Sequence, residues 1–197
     1  MKLILASASP RRARILRDAG FEFEVCPAHL DETRFLGESP EDYVRRLAEA
    51  KARFAAKRAI QGGASAIIIG ADTAVVVAGE LLGKPSDAAD AGRMLRLLSG
   101  RTHEVLTGVS VLRLPEDTSA RHVETTRVTF LEVSQKDIDD YIATGEPFDK
   151  AGAYGIQGIG GRFIGRIEGC YFNVMGLPLS RVWSLLRAIE TERTAGE

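Results

Sequence analysis

The sequence predicts an α/β protein with a mixed sheet. Three observations carry that expectation. Short apolar runs alternate with stretches of helical period, Ser-Pro helix starts recur, and two long strand-like stretches flank a polar turn. With 197 residues, 45% of them hydrophobic, the chain is long enough for one domain over 1–197 with a substantial core, and such a domain can still split into lobes around a cleft.

Taken in order, Lys2 to Ala6 reads as a buried strand. Ser9 is a good N-cap, Pro10 suits the first helical position, and Gly20 is placed to end a helix running to about Ala19. Phe21 to Cys26 alternates and reads as a strand, with Asp31-Glu32-Thr33 in a loop beyond it. Ser39-Pro40-Glu41-Asp42 starts a second helix, supported by Glu41/Arg45, Asp42/Arg46 and Glu49/Arg53 at i,i+4 and closed by Gln61-Gly62-Gly63. Ala66 to Ile69 is a fully apolar strand with Gly70-Ala71-Asp72-Thr73 at its end, and Val75–Val77 with Leu81-Leu82 reads as a hairpin. Ser86-Asp87 starts a helix that stops near Gly100. Thr102 to Leu114 and Arg121 to Val133 are long strands joined at Pro115-Glu116-Asp117, and Ser134 caps a short helix ended by Gly145. Glycines 145, 152, 155, 158, 160, 161, 165 and 169 then imply positive-φ turns or close approach to a ligand. Phe163–Ile167 and Cys170–Val174 are expected as strands, and Pro178 opens a last helix whose apolar face, Trp183 included, belongs to the core. A polar tail follows from Glu190.

Lys plus Arg totals 26 and Asp plus Glu 27, so the basic excess that holds a nucleic-acid backbone is absent. No apolar run is long enough for a membrane span or a signal peptide. Two distant cysteines, Cys26 and Cys170, suggest no disulfide framework, and a soluble, cytoplasmic protein is expected.

Five segments are candidates for chemistry. Ser7-Ala8-Ser9-Pro10-Arg11-Arg12 combines helix-start N–H groups, two hydroxyls and two guanidinium groups, as a phosphate cradle needs; a capped helix with solvated arginines leaves the same pattern. Asp72, directly after an apolar strand, sits where α/β sheets bind ligands and is able to hold a divalent ion or take a proton from water; an Asp that only turns the chain is the alternative. Glu32 with Asp31 offers carboxylates of the kind Mg²⁺ and Mn²⁺ favour, against the alternative of a solvated loop. Lys51, beside an alanine-rich helical stripe, and Lys84, between Gly83 and Pro85, are placed to meet phosphate oxygens or to be ordinary surface lysines. Gln157, among glycines, carries a donor and an acceptor suited to a base edge, against the alternative of a tight set of turns between strands. A Walker loop, a dinucleotide fingerprint and zinc spacing among His29, His103 and His122 are absent.

In combined order, Leu5 to Arg12, Asp31-Glu32, Tyr43 to Lys51, Gly70-Ala71-Asp72-Thr73, Gly83-Lys84-Pro85, Leu98 to His103, Asp149 to Gly158 and Asn173 to Pro178 resemble the Maf proteins, septum-formation-inhibitor-like nucleotide pyrophosphatases. The matching blocks span residues 3 to about 186. The resemblance implies a fold similar to inosine triphosphate pyrophosphatases, an elongated single domain with a mixed twisted sheet and a central cleft. It also implies cleavage between the α and β phosphates of non-purine or modified triphosphates, with Mg²⁺ or Mn²⁺. The family's catalytic aspartate falls on Asp72, its specificity positions on Arg12, Thr73 and Gln157, and its other polar cleft residues on Ser9, Glu32, Lys51 and Lys84. Cys170 stands where many members have a small polar residue. The form of Asp149 to Gly158 resembles members acting on dTTP and UTP rather than on 7-methyl-GTP, and the resemblance suggests a homodimer.

The expected reaction has Asp72 and Glu32 holding a metal with the triphosphate, while Arg12, Lys51 and Lys84 neutralise phosphate oxygens. Asp72 orients or deprotonates the attacking water, as metal ligand, proton acceptor or both. The alternatives are a pyrophosphatase preferring 7-methyl-GTP and a nucleotide-binding regulator of cell division that acts through a partner.

Overall fold

The computed structural model describes residues 1–61 and 65–191. In chain order the elements are β1 (Lys2–Leu5), α1 (Pro10–Asp18), β2 (Glu24–Val25), α2 (Pro40–Gln61), β3 (Ala66–Val77), β4 (Glu80–Leu82), α3 (Ala88–Leu98), β5 (Thr102–Leu114), β6 (Thr118–Phe130), α4 (Gln135–Ala143), β7 (Ile164–Glu168), α5 (Tyr171–Val174) and α6 (Leu179–Thr191). Three 3₁₀ turns, Glu146–Asp149, Ala151–Ala153 and Ile159–Phe163, lie between α4 and β7. The chain is thus mixed α/β around a seven-stranded sheet of order β2-β1-β3-β5-β6-β7, with β4 paired to β3.

Helix starts follow their caps. The Ser9 hydroxyl accepts the Arg12 N–H ahead of Pro10, and Gly20, with φ of +81°, follows the end of α1. Ser39 accepts the Asp42 N–H at 3.1 Å while its own hydroxyl donates to the Asp42 carboxylate at 2.7 Å. The Asp87 side chain caps α3 and the Ser134 hydroxyl caps α4.

The residues divide into two compact units. The first holds residues 1–72, 107–124 and those from 176 on. Here β1 pairs in parallel with β2 and with β3, the latter register running from Lys2 opposite Ala66 to Leu5 opposite Ile69. Helix α2 lies directly on two strand backbones. A Cβ at Gly70 would stand 2.1 Å from the Ala48 carbonyl oxygen, and one at Gly108 would stand 2.2 Å from that of Val44. Only glycine permits that approach, and Ala48 and Ala52 complete the close seam. Ile4, Ile68, Leu112, Leu114 and the α2 alanines form the adjoining core.

The second unit holds residues 73–106 and 125–175. Val75 to Val77 pairs antiparallel with β4, and Arg127 to Phe130 pairs antiparallel with β7. Leu95, Leu98, Phe130, Tyr141, Tyr154 and Phe163 are buried at the centre of its core.

Several expectations are corrected. Asp72 does not follow the end of a strand, because β3 runs unbroken from Ala66 to Val77, with Ala71, Ala74 and Val75 all buried. What stops short of Asp72 is the parallel pairing, since β1 ends opposite Ile69. Cys170–Val174 forms no strand. The Thr126 hydroxyl grips both the N–H and the carbonyl of Cys170, and the buried Asn173 amide donates to the Val105 carbonyl, which turns this segment into α5. Strand β2 shrinks to two residues, and β6 starts and ends earlier than expected. Arg45 pairs with Asp42 at i,i+3, and Arg46 turns to Glu38 instead of Asp42, while Glu49/Arg53 pairs at i,i+4. Trp183 is 52% exposed rather than core, resting against Phe21, while Val182, Leu186 and Ile189 face inward. Cys26 and Cys170 are free thiols. Gly62 and Gly63, expected to close α2, and the tail from residue 192 lie outside the described residues.

Candidate active site

The first unit brings three of the expected residues, Arg12, Glu32 and Lys51, to Asp72. The seam at Gly70 seats α2 so that Lys51, one turn beyond Ala48, meets the strand just past the glycine. Lys51 Nζ lies 2.6 Å from Asp72 Oδ1 and 2.6 Å from Glu32 Oε1. The side chains of Lys51 and Asp72 are 10% and 9% exposed, whereas Glu32 is 49% exposed on its loop. Glu32 is held there from both directions: Asp31 accepts from the N–H and hydroxyl of Thr33, and Arg46 of α2 donates to the Thr33 carbonyl and forks onto Glu38.

Arg12 is buried rather than solvated. Its Nε donates to the Gly176 carbonyl at 2.7 Å, and its Nη1 donates to the Ser7 hydroxyl at 3.1 Å and to the Ala71 carbonyl at 2.9 Å. The guanidinium therefore fixes the backbone immediately before Asp72. Ser9 stays half-exposed as the α1 cap.

The charges act on one another. Burial raises the Asp72 carboxyl above the ordinary carboxylate range; Lys51 and Arg12 pull it down, and Glu32 pushes it further up. Burial lowers the Arg12 guanidinium, with Asp72 opposing. Burial, reinforced by Asp72 and Glu32, pushes the Tyr43 phenol up to about 12. Burial makes the Asp72 carboxylate more basic while the two cations oppose that, and its fixed place suits it to accept a proton from a bound water.

Glu32 and Asp72 converge on a single ammonium, so two carboxylates aim at one cationic centre. That donor set fits a hard divalent ion, which takes one or two carboxylates and completes its shell with water and substrate phosphates. Among the described residues, no group of three or more His, Cys, Asp or Glu makes an all-protein cage.

The other expected residues belong to the second unit. Thr73 is half-buried in β3, directly after Asp72. Lys84 is exposed at the exit of β4. Its neighbour Gly83 accepts the Gly152 N–H at 2.9 Å, which ties the lysine turn to the glycine-rich segment. Gln157 is half-buried in that segment, between Tyr154 and the last 3₁₀ turn.

The profile of Maf-like proteins matches residues 2–189. The chain belongs to the Maf-like protein family. Two relatives named dTTP/UTP pyrophosphatase come from Koribacter versatilis, 52% identical over 95% of this chain and 94% of its own, and Citrifermentans bemidjiense, 50% identical over 95% of each. A third of that name, from Syntrophus aciditrophicus, is 44% identical and spans 100% of this chain and 94% of its own. A solved nucleoside-triphosphatase (dITP/XTP pyrophosphatase) from Mycobacterium abscessus covers 100% of this chain and 98% of its own at 17% identity, with a TM-score of 0.41.

Sequence reasoning did not single out two partners in this Maf-like site: Ser7 as the acceptor for Arg12 and the Gly176 carbonyl. Ser7 lay within the segment already noted. Gly176 lay within the Asn173 to Pro178 block, but nothing local marks a carbonyl 164 positions away as a partner of Arg12.

Proposed function

We propose that this chain hydrolyses dTTP and UTP to the nucleoside monophosphate and pyrophosphate, an activity that keeps non-cognate nucleotides out of nucleic acid. The observation that carries the reading is the buried Lys51–Asp72 pair joined by Glu32, a base and a cation held together in the family whose similar members are named for this reaction.

In this account Asp72 orients and deprotonates the attacking water, its basicity kept high by burial. Lys51 supplies positive charge to the phosphate oxygens in the displacement, and Arg12 holds the Ala71 carbonyl so that Asp72 does not shift. Ser9 and Lys84 bind phosphate, while Thr73 and Gln157 bind the nucleoside, with the Gln157 amide reading the base edge. Glu32 and Asp72 would hold Mg²⁺ or Mn²⁺, which when bound acidifies water and neutralises the leaving pyrophosphate.

Product analysis with UTP and Mg²⁺ tests the reading. UMP plus pyrophosphate is expected; UDP plus phosphate would refute it. In competition with 7-methyl-GTP, UTP is the expected winner, and the reverse preference would overturn the substrate assignment.

A further inference from the structure

We propose that Glu146 is the positioning residue for the turn carrying Gln157, and that it sets base selectivity without itself contacting the nucleotide. The inference rests on Gln157 reading the base. The segment that holds Gln157 is anchored on two sides within the second unit. On one side the buried Tyr154 places its hydroxyl 2.7 Å from His103 Nε2 and its ring edge-on to Phe130 at 4.7 Å. On the other side stands Glu146. Its Oε2 accepts the Ile159 N–H at 2.9 Å, and its Oε1 accepts the Gly160 N–H at 3.3 Å and the Tyr141 O–H at 3.0 Å. Residues 155–158, with Gln157 among them, are slung between these anchors.

The glycines of this stretch show how tightly the carboxylate is fitted. A Cβ at Gly158, whose φ is +95°, would lie 2.8 Å from Glu146 Oε2, and one at Gly160 would lie 2.6 Å from the Tyr141 hydroxyl oxygen. Tyr141 is itself immobilised, fully buried and edge-on to Phe163 at 5.3 Å. Backbone N–H groups facing an ionised carboxylate make strong, directional bonds. The neutral amide of glutamine has one oxygen and one NH₂, so it is unable to accept at both places. The chain thus uses one side chain to impose the backbone geometry that presents another.

The test uses the full chain carrying Glu146→Gln, which is isosteric, and Glu146→Ala. Amide hydrogen exchange is followed at Ile159 and Gly160, with α3 amides as an internal reference. KM, kcat and the preference for UTP and dTTP over CTP are measured in parallel. Exchange at both amides is expected to accelerate about tenfold or more with α3 unchanged. KM for UTP and dTTP is expected to rise about tenfold with kcat retained, and the preference over CTP to fall. In a Gln157→Ala background, Glu146→Gln should reduce selectivity no further, because the two act as one unit. Unchanged exchange at Ile159 and Gly160, or a selectivity loss that adds to that of Gln157→Ala, would overturn the role of Glu146 while leaving base reading by Gln157 intact. Selectivity unaffected by Gln157→Ala alone would overturn base reading, and with it the selectivity assigned to Glu146.

Discussion

In the first unit Lys51 and Asp72 are buried side by side and meet at 2.6 Å; in the second His103 is buried as deeply and meets the Tyr154 hydroxyl at 2.7 Å. Among the described residues, the buried side chains that carry charge, Arg12, Lys51, Asp72 and Arg113, all belong to the first unit. The second unit buries His103, Thr126 and Asn173, and burial holds His103 down at about 4, so it is a neutral ring near pH 7. Desolvating an ion costs several kcal/mol that pairing only partly returns, whereas a neutral hydrogen-bonded group costs far less. The first unit carries ionic groups that a structural core has little use for. Arg113 is the instructive exception: it grips the Ile189 carbonyl and Glu116, and so ties α6 to β5. The other three, Arg12, Lys51 and Asp72, are the charges to which the proposed reaction assigns a role.

The sharpest way to break this contrast is to remove one partner of the buried pair. Lys51→Met should leave Asp72 buried without its ammonium, destabilising the fold by about 3–5 kcal/mol and lowering kcat/KM for UTP by about a hundredfold. Urea denaturation and steady-state kinetics measure both. A variant as stable and as active as the parent would show the pair to be incidental.

Next in size is the seam that creates the pair. Gly70→Ala drives a methyl group to 2.1 Å from the Ala48 carbonyl oxygen, so α2 must lift from β3. A loss of about 3 kcal/mol is expected, with turnover falling as Lys51 moves away. Alanine at exposed Gly83, where a Cβ meets open space, is the control expected to change stability little.

The smallest effect sharpens the comparison from the second unit. His103 is depressed to about 4 in the folded chain against 6.5 when unfolded. The unfolded state therefore binds the extra proton between those values. The stability that neutral His103 provides is complete above about pH 6.5 and declines as pH falls toward 4, by at most about 3 kcal/mol. Urea midpoints measured from pH 7.5 to 4 should slope less steeply in His103→Gln. Equal slopes would mean that His103 is not buried neutral.

These effects also mark what was legible in the chain. Helices α1 to α4 were readable because Ser9, Ser39, Asp87 and Ser134 announce them locally, and the polar residues around Asp72 were each visible as candidates. Their arrangement was less so. That Lys51 meets Asp72 depends on how closely α2 approaches β3, and Gly70 looked like a strand terminator rather than a docking site. Arg12 was visible as a phosphate ligand or a solvated arginine, but not as an anchor for Ala71 and Gly176, because those acceptors are backbone carbonyls from distant segments. Trp183 shared a helical stripe with Val182 and Leu186, and which edge of that stripe faces outward depends on how α6 docks. Tyr171–Val174 has a strand-like composition that the Thr126 and Asn173 hydrogen bonds override. Local chemistry was written in the sequence; close approaches between distant segments were not.

In the proposed reaction the charge buried at Asp72 acts on the attacking water. Single-turnover hydrolysis of UTP with Mg²⁺ by Asp72→Asn, with the fold checked by circular dichroism, tests it most directly. A folded protein whose rate of UMP and pyrophosphate formation falls by about a thousandfold is expected. A folded Asp72→Asn chain that turns UTP over at near the parental rate would contradict it.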